Sequence, residues 1–279
     1  MCALSGGSGA RPDGSGAAGQ RDGKAVTRRV GGIQPAFLIP TAIDILPCRP
    51  AAPLHSGMPS RLPIFPLTAV LFPGTPLPLH IFEPRYKRML VDCLAADRRF
   101  GITPVPPARD VPEPGTVGCV AEVRVNQELP DGRSNIVVVG GPRFVLGRLL
   151  DESLPYLVAQ VQTFDDDPNT EPAAEETSIL RALFVRYFSG LRQLNDVEPE
   201  EPALPDDPLN LSFQVAGAIE CDPGVKHRLL AERSTSRRFK ALLLLLPVLT
   251  SSVESALKVH QRAHTNGKGG AAPDIVADQ

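Results

Sequence analysis

The dominant spacing of apolar side chains differs between the two halves of this chain, and that difference limits what it can fold into. Up to Phe164, outside one helical stretch after Glu83, the apolar residues mostly alternate. In TVGCVAEVRVNQEL (116–129), Val117, Cys119, Ala121, Val123 and Val125 fall on one face and Glu122, Arg124 and Asn126 on the other, which is the two-residue period of a strand. After an acidic stretch, DDDPNTEPAAEE (165–176), the period becomes helical: Ile179, Leu180, Leu183, Phe184, Tyr187, Phe188, Leu191 and Leu194 form one stripe. Strands first and helices afterwards predict an α+β layout with the two kinds of element segregated, not alternating βαβ units.

The strand half is unusually rich in proline, a residue of which the chain holds 30. Proline has no N–H to give to a ladder, so it confines strands to sheet edges and bulges. LPIFPL (62–67), AVLF (69–72) and PLPLHIF (76–82) read as short strands of this kind. Glu83-Pro84 then opens a helix through YKRMLVDCLAAD, because Pro at the first helical position brings a preset φ and loses no needed donor. RFGITPV (99–105) is the next strand. Pro130-Asp131-Gly132 is a strong turn signal between two long strands, and Gly140-Gly141-Pro142 should bend or bulge the second of them. YLVAQVQTF (156–164) closes the β-rich part.

In the second half, helices fit 209–220, 225–232 and 237–249, with Ser234 as N-cap of the last and Pro247 expected to kink or end it. Residues 1–57 and 265–279 have the Gly, Ser and Ala composition of tails that bury too little apolar surface to offset ordering entropy. Both acidic, proline-broken stretches (165–176 and 196–207) read as solvated connectors.

Several function classes are disfavoured. A net charge of −2 carries no overall signature for nucleic acid or membrane. The five cysteines have no C-x-x-C spacing, which argues for reduced thiols in the cytoplasm and against a disulfide framework or zinc site. The apolar run at 241–249 is far shorter than the ~20 residues a bilayer needs. No G-x-x-x-x-G-K-[ST] string is present to cradle nucleotide phosphates. His260 and His264 have i, i+4 spacing but no H-E-x-x-H context. No catalytic residue, cofactor or metal is expected.

LPIFPLTAVLFPGTPLPLHIFEPRYKRML (62–90) resembles the opening signature of the Lon N-terminal domain family, and most of all its stand-alone members without the ATPase and protease. RFGI, VGCVAEV, the DGR turn, NIVVVGGPRFVL and PYLVAQV follow in order, and HRLLAERSTSRRFKALLLLL is similar to the family's helical end, although Pro247 interrupts what is usually one long helix. The resemblance spans roughly 60–262. It implies a PUA-like β pseudo-barrel over 60–165 followed by a helical bundle over 173–262. It also implies a module that contacts unfolded or tagged protein and serves a protease or chaperone in protein quality control.

Within this frame Phe72, Pro73, His80, Phe82 and Tyr86 are the candidate peptide-binding residues, with exposed strand edges offering main-chain hydrogen bonds. Arg233, Arg237, Arg238 and Lys240 form a candidate basic docking patch in the stretch 226–240. The alternative reading uses that stretch for an RNA backbone. A second chemical alternative, acid–base work by His80 beside Glu83, yields to the simpler reading in which Glu83 and Arg85 brace the first helix.

Overall fold

A computed structural model of the chain describes residues 59–106 and 109–266; the expected tails, apart from 265–266, lie outside them. Eleven elements follow the predicted order: β1 (Pro59–Leu67), β2 (Pro76–Ile81), α1 (Pro84–Ala95), β3 (Arg99–Pro104), β4 (Val117–Glu128), β5 (Ser134–Leu150), β6 (Leu157–Phe164), α2 (Ala174–Leu194), α3 (Pro208–Ala218), α4 (Pro223–Ala231) and α5 (Thr235–Asn266). The fold is α+β, a mixed sheet with helices after it.

The strands β5, β4, β3, β1 and β6 pair in sequence and β6 returns to β5, so the sheet closes on itself, with β2 added outside β5. The β1–β3 pairing is parallel and the other strand pairings are antiparallel. Alternate residues of these strands enter two different apolar clusters. Leu62, Ile64, Val120, Phe144, Leu146, Ala159 and Val161 form one. Phe65, Phe100, Ile102, Cys119, Ala121, Val123 and Val138 form the other with Tyr86, Met89, Leu90 and Cys93 of α1. Burial on both faces explains why β3 and the first half of β4 read as near-continuous apolar runs. Gly101 and Gly118 leave room for the Phe144 ring, since a Cβ at either would stand 2.7 or 2.5 Å from its tip.

The turn at Pro130–Gly132 forms as expected, with Gly132 at φ 71. β5 is long enough to serve two partners. Its first half pairs with β2 and its second with β6, and β4 runs beside both. Between the halves, the chain at 72–75 crosses directly over Gly140. The Gly74 amide donates to the Gly140 carbonyl at 2.8 Å and the Gly140 amide to the Thr75 carbonyl at 3.0 Å. A Cβ at Gly140 would stand 2.0 Å from the Phe72 carbonyl oxygen, so only glycine allows the crossing.

Ala69–Phe72 is not the strand its composition suggested. It is an arm that carries Val70 and Phe72 into the helical core, among Leu180, Phe184, Leu211, Phe213, Leu230, Phe239 and Leu242. Beside this wedge lies an ionic cluster. Asp166, read from sequence as part of a solvated connector, pairs with Arg143 of β5 and Arg238 of α5, and all three side chains are at most 8% exposed. Arg143 also donates to the Leu230 and Glu232 carbonyls at 2.9 and 2.7 Å. Arg238 donates to the Glu232 carbonyl and to Ser212 Oγ at 2.6 and 2.8 Å. The junction between barrel and helices is therefore filled by aromatic and ionic packing.

Asp207 and Asp222 cap α3 and α4 ahead of Pro208 and Pro223, and Ser234 Oγ accepts from the Arg237 amide at the start of α5, as expected. Pro247 does not end α5, which runs on to Asn266. Its missing N–H and its ring fall on the exposed side, where the freed carbonyl of the preceding turn can meet water. This continuity corrects the short-run reading of 241–249. Thr235–Arg262 is long and apolar enough, by length and composition, to cross a bilayer, with a mean hydropathy of 1.6 over its most apolar 18 residues. One of its stripes, Phe239, Leu242 and Leu246, is fully buried in the helical core, while only 17% of that apolar window is buried.

Candidate recognition surface

β2 is the free edge of the sheet. Its backbone bonds follow from parity. Gly140 donates to Thr75, and the register pairs Leu77, Leu79 and Ile81 with Val138, Ile136 and Ser134. These residues are in step with Thr75 and exchange bonds with β5, so Pro76, Pro78 and His80 turn their backbones outward. Two of those three lack an N–H. The outer edge thus offers three carbonyls and a single donor, which blunts strand addition. An extended peptide at this exposed edge would meet an acceptor at all three positions and a donor only at His80.

The side chains on that face are more accessible than the backbone. Leu77 and Leu79 pack inward, so Pro76, Pro78 and His80 face out. Opposite them on β5 stand Val139, Val137 and Asn135, and the next strand adds Val125 opposite Val137 and Glu122 opposite Val139. The row Pro78–Val137–Val125 therefore crosses three strands, with Val125 39% exposed. Directly opposed side chains of this kind form one continuous surface.

At the end of β2, His80 and Phe82 extend this surface. The His80 Nδ1 lies 2.8 Å from Asn135 Oδ1. An amide oxygen only accepts, so Nδ1 carries the proton in this contact. The Phe82 ring stacks beside it, with centroids 6.0 Å apart at 24°, and is 53% exposed. Glu83 and Arg85 pair with each other at 2.9 Å, which leaves Glu83 braced rather than aimed at His80. A large aromatic held at the surface by a hydrogen-bonded neighbour is a pre-ordered contact for an apolar ligand side chain.

Of the five residues singled out from sequence, His80 and Phe82 stand together on this surface and Pro73 is half-buried, where it bridges to Gly140. Phe72 and Tyr86 are core residues. Phe72 is fully buried, 6.5 Å from the Phe213 ring. Tyr86 is 5% exposed and packs 4.1 Å from Phe65. Neither side chain offers a surface to a ligand, because packing claims each. Pro76, Pro78, Val125, Val137 and Val139 were missed; simple alternation placed Val125 on the core face with Val123, and the register shift between the two turns it outward.

The basic stretch divides in the same way. Arg238 is buried in the Asp166 cluster and belongs to the core. Arg233 pairs with Asp167 at 3.2 Å and Arg237 with Glu232 at 2.9 Å. Lys240 alone of the four makes no ion pair with a described residue.

Other chemistry is muted. Burial raises the Cys93 thiol to about 12 and pushes Cys119 higher still, so both are poor nucleophiles. Among the described residues no cluster of His, Cys, Asp and Glu could hold a metal ion, and His260 lies 3.3 Å from Asp196. A shallow hollow of about 200 Å³ lies on the barrel wall, lined by Val145–Gly147 and Gln160–Gln162.

Comparison with known proteins points one way. The family model for the ATP-dependent protease La (LON) substrate-binding domain matches residues 61–247. A Lon protease of Cytophaga hutchinsonii is 24% identical over 245 residues, which cover 84% of this chain and 29% of that protein. Lon protease 2 of Syntrophobacter fumaroxidans is 30% identical over 143 residues, covering 48% and 18% respectively. The chain thus spans less than a third of these relatives' length. A crystal structure of a Lon N-terminal domain protein from Xanthomonas campestris superposes with a TM-score of 0.52 and 24% identity, covering 67% of this chain and 98% of that one; the likeness is one of fold.

Proposed function

The chain belongs to the Lon substrate-binding domain family, and from that premise we propose that it is a non-catalytic receptor for unfolded or tagged protein segments. It would act as an adaptor that presents them to a separate protease or chaperone. The observation that carries this reading is the outer face of β2, β5 and β4, where Phe82 and His80 adjoin the row Pro78–Val137–Val125. The match lies within the substrate-binding region, and the site's residues suit binding rather than bond cleavage. The face suits extended apolar segments: it takes side chains, and it accepts hydrogen bonds from a ligand's N–H groups at Pro76, Pro78 and His80. With Arg238 buried and two of its neighbours paired, the basic stretch gives RNA little purchase.

The test is binding of the full chain to a permanently unfolded, carboxymethylated protein, followed by fluorescence anisotropy. Micromolar binding is expected, weakened about tenfold by Phe82→Ala, the scale of one central aromatic contact, with the melting temperature unchanged. No binding, or equal binding by Phe82→Ala and by a Phe82→Ala/Val137→Ser double variant, would overturn the assignment.

A further inference from the structure

α5 has a second stripe, opposite the one in the core. At helical spacing Arg237, Lys240, Leu244, Pro247, Val248, Ser251, Ser255, Lys258, Val259 and Arg262 follow one another along it, and every one of them is exposed. Leu244 is 77%, Val248 66% and Val259 67% exposed. Two features set this stripe apart from an ordinary solvated face. It has an apolar centre, and it carries no acidic residue. Glu254 sits at its margin and is held by Arg186 at 2.6 Å. Arg237 is answered by Glu232, while Lys240, Lys258 and Arg262 make no ion pair with a described residue. Lys240 and Lys258 flank the apolar centre about 27 Å apart, at ~1.5 Å per residue.

We propose that this stripe docks an amphipathic helical segment of a partner protein, one that bears acidic residues on both sides of an apolar centre. Charge complementarity selects this occupant. A second copy of the stripe would set lysine against lysine in either orientation. A membrane surface is a poorer fit, because interfacial helices insert several aromatic or leucine side chains and this stripe offers three aliphatic ones without an aromatic. The surface lies on α5, apart from the barrel face assigned to substrate, so the two readings stand or fall separately.

The probe is a fluorescein-labelled synthetic 22-residue helical peptide with a Leu and Ala stripe and two glutamates at each end, titrated with the full chain. Saturable binding is expected, weakened more than tenfold by Lys240→Glu/Lys258→Glu, by Leu244→Ser/Val248→Ser, and by raising salt from low to half-molar. Circular dichroism and the melting temperature should match the parent, since all four side chains are exposed. The proposal is overturned if the peptide fails to bind, if a charge-reversed lysine peptide binds equally well, if phosphatidylserine vesicles bind while the peptide does not, or if sedimentation shows self-association abolished by Leu244→Ser/Val248→Ser.

Discussion

Gly140 and His227 show how single positions hold this molecule together. Where the 72–75 arm crosses β5, backbone meets backbone, and no rotamer change can relieve a Cβ placed 2.0 Å from the Phe72 carbonyl. Gly140→Ala is expected to cost about 2–3 kcal/mol or more, in the range of core overpacking, read as a lower urea midpoint. His227 joins α4 to β4 by a 3.2 Å hydrogen bond from Nε2 to the Val117 carbonyl. Burial lowers its pKa, and that hydrogen bond offsets the effect only in part. With the folded value below the ordinary 6.5, the unfolded chain takes up a proton first as pH falls. Stability is therefore full above about pH 6.5 and declines below it. Melting temperatures from pH 7.5 to 5 should fall more steeply for the parent than for His227→Gln, and parallel curves would remove His227 from the account.

The elements were legible in the sequence to different degrees, for physical reasons. The alternation of β4 and the stripe of α2 record which face meets the core, so both were readable. Turn chemistry at Pro130–Gly132 and the Ser234 cap were readable because those interactions are local. Phe72, Asp166 and Arg238 were not, because their roles depend on partners far along the chain: Asp166 and Arg238 are 72 residues apart, and a short proline-bounded apolar stretch such as 69–72 reads alike as strand or wedge. Asp166→Asn leaves two arginines buried without their shared anion and is expected to cost about 3–5 kcal/mol, measured by denaturant unfolding. α5 was cut short because an interior proline usually ends or kinks a helix, whereas the helix continues past Pro247 to Asn266. Pro247→Ala should lengthen no element and stabilise the fold by about 1–3 kcal/mol, up to the full interior penalty, read as a higher denaturant midpoint.

The barrel and the helical bundle act as one scaffold because Phe72 and the Arg143–Asp166–Arg238 cluster fill the space between them. The two proposed recognition surfaces are accordingly outer ones: a barrel face whose strand edge is shielded by proline and whose side chains are open, and a helix stripe on the far side of the α5 core contacts. Only His80 and Phe82 of the barrel face were singled out beforehand. The rest needed the β2–β5–β4 register, which only the folded chain supplies. Methyl-labelled NMR of the full chain, titrated with the carboxymethylated unfolded protein, reads where the ligand sits. Shifts concentrated at Val125, Val137 and Val139 are the predicted result; shifts concentrated instead at Leu211 and Leu230 in the junction, or at Leu244 and Val248 on α5, would contradict it.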